Sequence, residues 1–175
     1  MLELVLLEDV PDAERAAFEA GIAGLTMLPG QEAFVSGPER LLRAAAADPD
    51  RKLFAIQYQG EVVGTGTLHR GGGAAALGWS GDWVLLRGLL IAAPGQGRGY
   101  GSAAAAAAVA LAQQLFPQAE GVVLGVNIAN PAGQRAYAKA GYAVVGQYLE
   151  PRNGPQLIMV QSFSSTKVDD RLAVN

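Results

Sequence analysis

Midway along the chain an apolar segment, Val84-Leu85-Leu86-Arg87-Gly88-Leu89-Leu90-Ile91, passes through Gln96-Gly97-Arg98-Gly99-Tyr100-Gly101-Ser102 into a run of alanines. That order calls for a β-loop-α unit. Trp83 to Ala92 reads as a long, mostly buried strand. Tyr100 to Phe116 reads as a helix, because alanine has the highest helix propensity and Pro117 cannot continue the ladder. A helix that starts on a glycine-rich turn aims several unpaired backbone N–H groups at one point, with the positive end of its dipole behind them. Such a turn is a phosphate cradle. Glycine there permits positive φ and leaves room for a pyrophosphate to approach the backbone. The chain holds 23 glycines, so glycine spacing alone is weak evidence. The dinucleotide pattern G-x-G-x-x-G fails, since Tyr100 and Ser102 stand where glycine is required, and G-x-x-x-x-G-K-[ST] is absent. Q-x-x-G-x-G fits, as Gln96-Gly97-Arg98-Gly99-Tyr100-Gly101.

The flanking sequence supplies the rest of a sheet. Leu2–Leu7 is a short strand, and Asp9-Val10-Pro11-Asp12 opens a helix that runs to about Ala23. A loop follows from Gly24. Pro38 suits the first position of a helix over Glu39 to Ala47, ended by Asp48-Pro49-Asp50. Lys52–Tyr58 and Glu61–His69, joined by Gln59-Gly60, form a hairpin. Gly71-Gly72-Gly73-Ala74-Ala75-Ala76 reads as a flexible connection. A strand at Gly121–Val126, a helix near Pro131–Ala140 and strands at Tyr142–Tyr148 and Gln156–Phe163 complete the pattern. The expectation is an α/β single domain over residues 1–163, a mixed and mostly antiparallel central sheet flanked by helices. Residues 164–175 read as a mobile tail.

At 175 residues one domain suffices, and 50% hydrophobic with 17% charged residues can build a core. The absence of cysteine removes disulfides, thiolate nucleophiles and Cys-based metal sites, and no metal site is expected. The first residues carry acids where an export signal carries bases, and Ala103 to Ala112 is too short to span a bilayer. A cytoplasmic protein without a membrane partner is expected. Residues 1–50 hold ten acids against three arginines, a balance of −7, and the remainder carries +4. This asymmetry suits a cationic substrate at one end and a polyanion at the other, and equally suits solvated helix faces. A sequence pI near 5.1, without a basic stripe interleaved with aromatics, disfavours nucleic acid.

A second constellation lies downstream: Val126-Asn127-Ile128-Ala129-Asn130-Pro131-Ala132, then Arg135-Ala136-Tyr137-Ala138-Lys139-Ala140-Gly141-Tyr142. Singly these residues read as a strand-end turn at Asn127, a helix cap at Asn130, a half-buried aromatic at Tyr137 and a helix stop at Gly141. Taken with the Q-x-x-G-x-G turn, from about Trp83 to Gly146, they resemble the GNAT superfamily of N-acetyltransferases. The resemblance implies acetyl-CoA (coenzyme A) as cofactor. Backbone groups of Leu89, Leu90 and Ile91 would hold its pantetheine arm and polarise the thioester. Backbone amides of Gln96, Gly97, Arg98, Gly99, Tyr100, Gly101 and Ser102 would take the pyrophosphate, with Asn127 and Asn130 beside the pantetheine. Tyr137 would protonate the departing thiolate after direct attack by a primary amine, the oxyanion being held by a backbone amide.

Where many family members carry a glutamate base, this chain has Leu85. His69, Glu32 and Asp82 remain as alternatives, with an ordered water chain preferred and His69 favoured as structural. Gln31-Glu32-Ala33-Phe34-Val35 resembles a Q-E-x-F-V stretch of bacterial spermine/spermidine acetyltransferases, which points to a polyamine or diamine and makes Gln31, Glu32 and Phe34 candidate substrate contacts. Read without the resemblance, this is a loop whose Phe34 packs on the core. Ala92 replaces an aspartate usual in that subgroup. The expected partner is a small-molecule amine, and a homodimer is admissible. The competing readings are a protein N-terminal or lysine acetyltransferase and a non-enzymatic acetyl-CoA sensor.

Overall fold

A computed structural model describes residues 1–150 and 154–164; the expected tail from residue 165 onward lies outside the described residues. Eleven regular elements follow one another: β1 (Leu2–Leu6), α1 (Asp12–Ala23), α2 (Pro38–Ala47), β2 (Arg51–Tyr58), β3 (Glu61–His69), β4 (Trp83–Ile91), α3 (Tyr100–Leu115), β5 (Gly121–Asn127), α4 (Pro131–Lys139), β6 (Ala143–Glu150) and β7 (Gly154–Ser162). The seven strands form one sheet in the order β1-β2-β3-β4-β5-β7-β6. Every neighbouring pair is antiparallel except β4 with β5. The mixed α/β sheet expected from the sequence is therefore present.

Strand alternation sorts the core into two faces. Phe54, Ile56, Val84, Leu86, Val122 and Leu124 turn to the face covered by α3. The alanines of that helix, Ala104, Ala105, Ala108 and Ala112, are fully buried on it. Side chains this small let the helix axis approach the sheet closely. On the opposite face Leu53, Ala55 and Leu90 meet Ile22 and Leu41 of α1 and α2. Trp83, Leu85, Val123, Ile158 and Val160 continue that face beyond the helices.

In the glycine-rich connection between β3 and β4, Gly73 and Ala74 are buried while Gly71, Gly72, Ala75 and Ala76 are exposed. Ala74 is 3% exposed and joins Trp83, Leu85 and Val123. Residues Ala74–Leu77 form a turn of 3-10 helix. A Cβ on Gly73 would lie 2.6 Å from the His69 carbonyl oxygen, so the absence of a side chain is what lets this segment fold down on the sheet.

Candidate active site

Strands β4 and β5 pair only at their first residues, Trp83 with Gly121, Val84 with Val122 and Leu85 with Val123. Beyond that point they part. β4 stays paired to β3 as far as Gly64 opposite Ile91, and β5 stays paired to β7 along its whole length, as far as Asn127 opposite Gln156. The gap between them is a wedge flanked by two strand edges that face no neighbouring strand. Gly88 marks its start. At φ +62 it sits where the β3–β4 register slips, and a Cβ there would lie 2.6 Å from Leu41 Cδ2 of α2. A bulge of this kind bends one strand away from its neighbour.

Past the bulge the backbone alternates again. Ala92 N–H reaches the Val63 carbonyl at 2.9 Å, which turns Ala92 and Leu90 toward β3 and leaves the Ile91 N–H facing the wedge. The Ile91 carbonyl accepts from Gln96 Nε2 at 3.1 Å.

The turn that closes β4 onto α3 has the geometry of an anion cradle. Gly97 and Gly99 take φ +76 and +81, and a Cβ on either would meet nothing within 4 Å. Open space lies in front of this backbone. The first helical bond of α3 runs from Ala103 N–H to the Gly99 carbonyl, 3.1 Å, so the amides of Tyr100, Gly101 and Ser102 have no acceptor within the helix. No side chain caps this end; the Ser102 hydroxyl donates to the Gly99 carbonyl instead. Arg98 is exposed beside the cradle. The Tyr100 ring packs over Gly95, where a Cβ would lie 3.1 Å from Tyr100 Cδ2, and meets the Tyr58 ring at a tilt of 35° with centroids 5.1 Å apart.

Asn127 and Asn130 adopt the local roles expected of each singly. Asn127 Oδ1 accepts from Ala129 N at 2.8 Å, and Asn130 Oδ1 accepts from Gly133 N at 3.0 Å as the cap of α4. Gly141 ends α4 at φ +99. Tyr142, just beyond, sends its hydroxyl to the Ala105 carbonyl of α3 at 3.1 Å. Tyr137 packs edge-on against Tyr142 at 6.0 Å, and its hydroxyl has no hydrogen-bond partner among the described residues. Burial pushes the Tyr137 phenol up to about 12. It holds its proton throughout the neutral range.

The segment between α1 and α2 brings Gln31 to Gln96, with Gln96 Nε2 donating to Gln31 Oε1 at 3.0 Å. Its neighbours Glu32 and Phe34 face solvent. Phe34 is 43% exposed and does not fill the core; Val35 does so, against Leu53 and Leu90.

Of the residues weighed as a base, Asp82 lies at the far end of β4 from the cradle, where Arg70 grips its carboxylate at 2.7 and 3.2 Å. His69 is buried between Asp48 and Arg87. Leu85 is buried among apolar side chains. Among the described residues no cluster of His, Asp or Glu could hold a metal ion, and no helix is long and apolar enough to cross a membrane.

The family described as "Acetyltransferase (GNAT) family" matches residues 13–142. No curated protein matches the sequence. Among solved structures the chain is similar to the aminoglycoside acetyltransferase AAC(6')-Ib in complex with coenzyme A, at 20% identity and TM-score 0.67, covering 93% of this chain and 95% of the other. The same enzyme with kanamycin bound gives the same figures, 20%, 0.67, 93% and 95%. Spermidine N-acetyltransferase from Vibrio cholerae, with CoA and spermine, matches at 14% identity and TM-score 0.61, covering 92% and 95%. At these identities the likeness is one of fold.

Proposed function

Because this chain belongs to the acetyltransferase (GNAT) family and is an acetyl-CoA-dependent N-acetyltransferase, we propose that the β4–β5 wedge and the turn at its mouth form the transfer site, and that the acceptor is a small polyamine or diamine. One observation carries the reading. Two strand edges separate beyond Leu85 and Val123, and the wedge they form opens beside the free amides of Tyr100, Gly101 and Ser102.

The residues present fit the cofactor. An edge with free N–H and C=O groups pairs with an extended amide-bearing chain as it would with another strand. Leu89 and Ile91 supply that edge, with the Ile91 N–H as its best-placed donor, whereas the Leu90 backbone, expected to share in it, is turned to β3. The turn from Gln96 to Ser102 supplies converging amides for a pyrophosphate, and the open space over Gly97 and Gly99 is the room it needs. Asn130 spends its Oδ1 on the helix cap and keeps its Nδ2 as a donor to a pantetheine carbonyl. When bound, acetyl-CoA supplies the thioester acyl group.

Tyr137 is the proton donor of this site. At about 12 its phenol is a weaker acid than a free thiol near 8.5, so full transfer to a thiolate is uphill by some 3–4 units. Transfer is therefore coupled: as the C–S bond breaks the hydroxyl passes its proton to sulfur, and the attacking nitrogen, cationic in the tetrahedral adduct, returns a proton to the phenol oxygen. With no carboxylate at Leu85 and with His69 and Asp82 held in other contacts, water takes one proton from the acceptor's ammonium before it attacks, leaving a neutral amine as the nucleophile. Glu32 and Phe34, exposed on the loop between α1 and α2, offer a charge and an apolar wall to an aliphatic cation. Aminoglycosides and spermine, the amine-rich acceptors named with the structural neighbours, agree with such a substrate.

The test is a screen of polyamines, aminoglycosides, amino acids and peptides for acetyl-CoA-dependent thiol release. Turnover confined to peptides would replace the polyamine reading with that of a protein acetyltransferase. Cofactor binding without turnover on any amine would favour the sensor.

A further inference from the structure

We propose that Gln31 is a positioning residue that couples the cofactor turn to the loop between α1 and α2, so that filling the turn tightens the acceptor side of the site. The inference rests on the transfer site described above. Its basis is a junction of three backbone segments. Gln31 Oε1 accepts from Leu28 N at 3.0 Å and from Gln96 Nε2 at 3.0 Å, while Gln96 Nε2 also donates to the Ile91 carbonyl at 3.1 Å. One carboxamide oxygen has two lone pairs and one amide nitrogen has two hydrogens, so both groups are saturated by these contacts. Neither can shift without breaking a bond.

The junction links residues 65 apart in sequence. A second anchor runs beside it, Ala93 N–H to the Thr26 carbonyl at 2.9 Å. The loop is thus tied at two points to the connection between β4 and α3. Only the Gln31 anchor sits on the cradle itself, next to Gly97 and Gly99, where a Cβ would meet nothing within 4 Å. An anion held by the amides of the turn fixes the backbone from Gln96 onward, which fixes the Gln96 carboxamide and, through it, Gln31. Glu32 follows within the short 3-10 turn Gln31–Ala33, and Phe34 closes it with its N–H bonded to the Gln31 carbonyl. Gln31 therefore acts on the acceptor through its neighbours.

Hydrogen exchange of the full chain, with and without coenzyme A, reads the coupling directly. In the wild type, coenzyme A should slow exchange across residues 26–36. Gln31→Met keeps the length of the side chain and loses the acceptor. Two hydrogen bonds are lost, so it should speed exchange there in the free protein by at least the roughly two- to tenfold expected for one net hydrogen bond. It should also abolish the slowing by coenzyme A, although calorimetry still detects binding. Gln31→Glu retains an acceptor oxygen and should restore the slowing. Gln96→Met should likewise abolish the slowing, and the double variant should fall short of the sum of the two, because both remove the Gln31–Gln96 bond while each removes one further bond of its own. Undiminished slowing in Gln31→Met, or additive effects in the double variant, would overturn the coupling. Coenzyme A failing to bind the wild-type chain would instead overturn the site on which the coupling rests.

Discussion

His69 Nδ1 lies 3.3 Å from Arg87 Nη1, and because a guanidinium can only donate, the ring must accept at Nδ1 and carry its proton at Nε2. That proton points at Asp48 Oδ2, 3.3 Å away. Desolvation lowers the His69 pKa first, with Arg51 and Arg87 adding to it against Asp48 and Asp50. The histidine is thus neutral at pH 7, and its lone pair is committed to Arg87. Both facts assign it to holding β3, β4 and the end of α2 together, and leave it no free base to offer an amine.

The first prediction is a stability loss in mild acid. With the folded pKa depressed below 6.5, the unfolded chain binds the extra proton more readily, so stability falls as pH drops below the unfolded value. The melting temperature should decline between pH 7 and pH 5. His69→Gln, which can still bridge Arg87 and Asp48 but does not titrate, should flatten that decline. Equal slopes for the two proteins would show that other groups control the acid limb. The lowered Asp48 carboxyl acts in the same sense at lower pH, losing its contribution as it protonates below its ordinary 3.8.

Cofactor binding supplies the second prediction. Gly99 caps α3 at φ +81 with open space ahead of it. Gly99→Ala brings the strain of positive φ, about 1–2 kcal/mol, without charge. Gly99→Asp adds a carboxylate at the focus of the free amides, where it can cap the helix and compete with a pyrophosphate. Calorimetry should show acetyl-CoA affinity falling about tenfold for Gly99→Ala, as an estimate from that strain, and much further for Gly99→Asp. Circular dichroism should find the aspartate variant folded. Folded Gly99→Asp with wild-type affinity would remove the cradle from the site.

How far the sequence revealed this arrangement depends on the range of the interaction involved. Elements governed by neighbours along the chain were readable: Pro38 opening α2, Gly99 starting α3 and Gly141 closing α4 each follow from backbone preference alone. The wedge was not readable, because it is a relation between β4 and β5, and its trigger, Gly88, is one glycine among many. Within Gly71 to Ala76 the burial of Gly73 and Ala74 was not readable, because composition does not show the His69 carbonyl that demands glycine at residue 73. The Gln31–Gln96 bond crosses 65 residues and leaves no local pattern. Both partners were singled out, but for separate tasks.

The third prediction concerns acceptor charge. Several acids of the amino-terminal region are already paired, Glu8 with Lys52 at 2.7 Å, Asp48 with Arg51 at 3.2 Å and Glu39 with Arg43 at 3.9 Å. Glu32 is exposed on the acceptor loop, and none of the described ion pairs engages it. An exposed pair contributes about 0.2–1 kcal/mol. Glu32→Gln should therefore raise KM for a diamine only about two- to fivefold at low salt, with kcat held. The difference should vanish at high salt, where screening lengths shorten to about 3 Å. An unchanged KM at low salt would take Glu32 out of the acceptor site.

The last prediction separates the chemistry of Tyr137 from its packing. Its ring rests against Tyr142, and Tyr137→Phe keeps that contact while removing a hydroxyl that has no partner among the described residues. Little stability should therefore be lost, and acetyl-CoA affinity should hold. A donor aimed at developing charge contributes about 10²–10³ in kcat, and that loss should appear under conditions where chemistry limits the rate. The pH profile supplies a second constraint. A phenol raised to about 12 stays protonated across the working range, so kcat/KM should climb as the acceptor amine deprotonates and show no alkaline fall from Tyr137 below about pH 11. If water delivered the proton instead, the phenylalanine variant would retain nearly full kcat with the same profile. Tyr137 would then be a packing residue on Tyr142, and the proton donor of this acetyltransferase would have to be sought elsewhere.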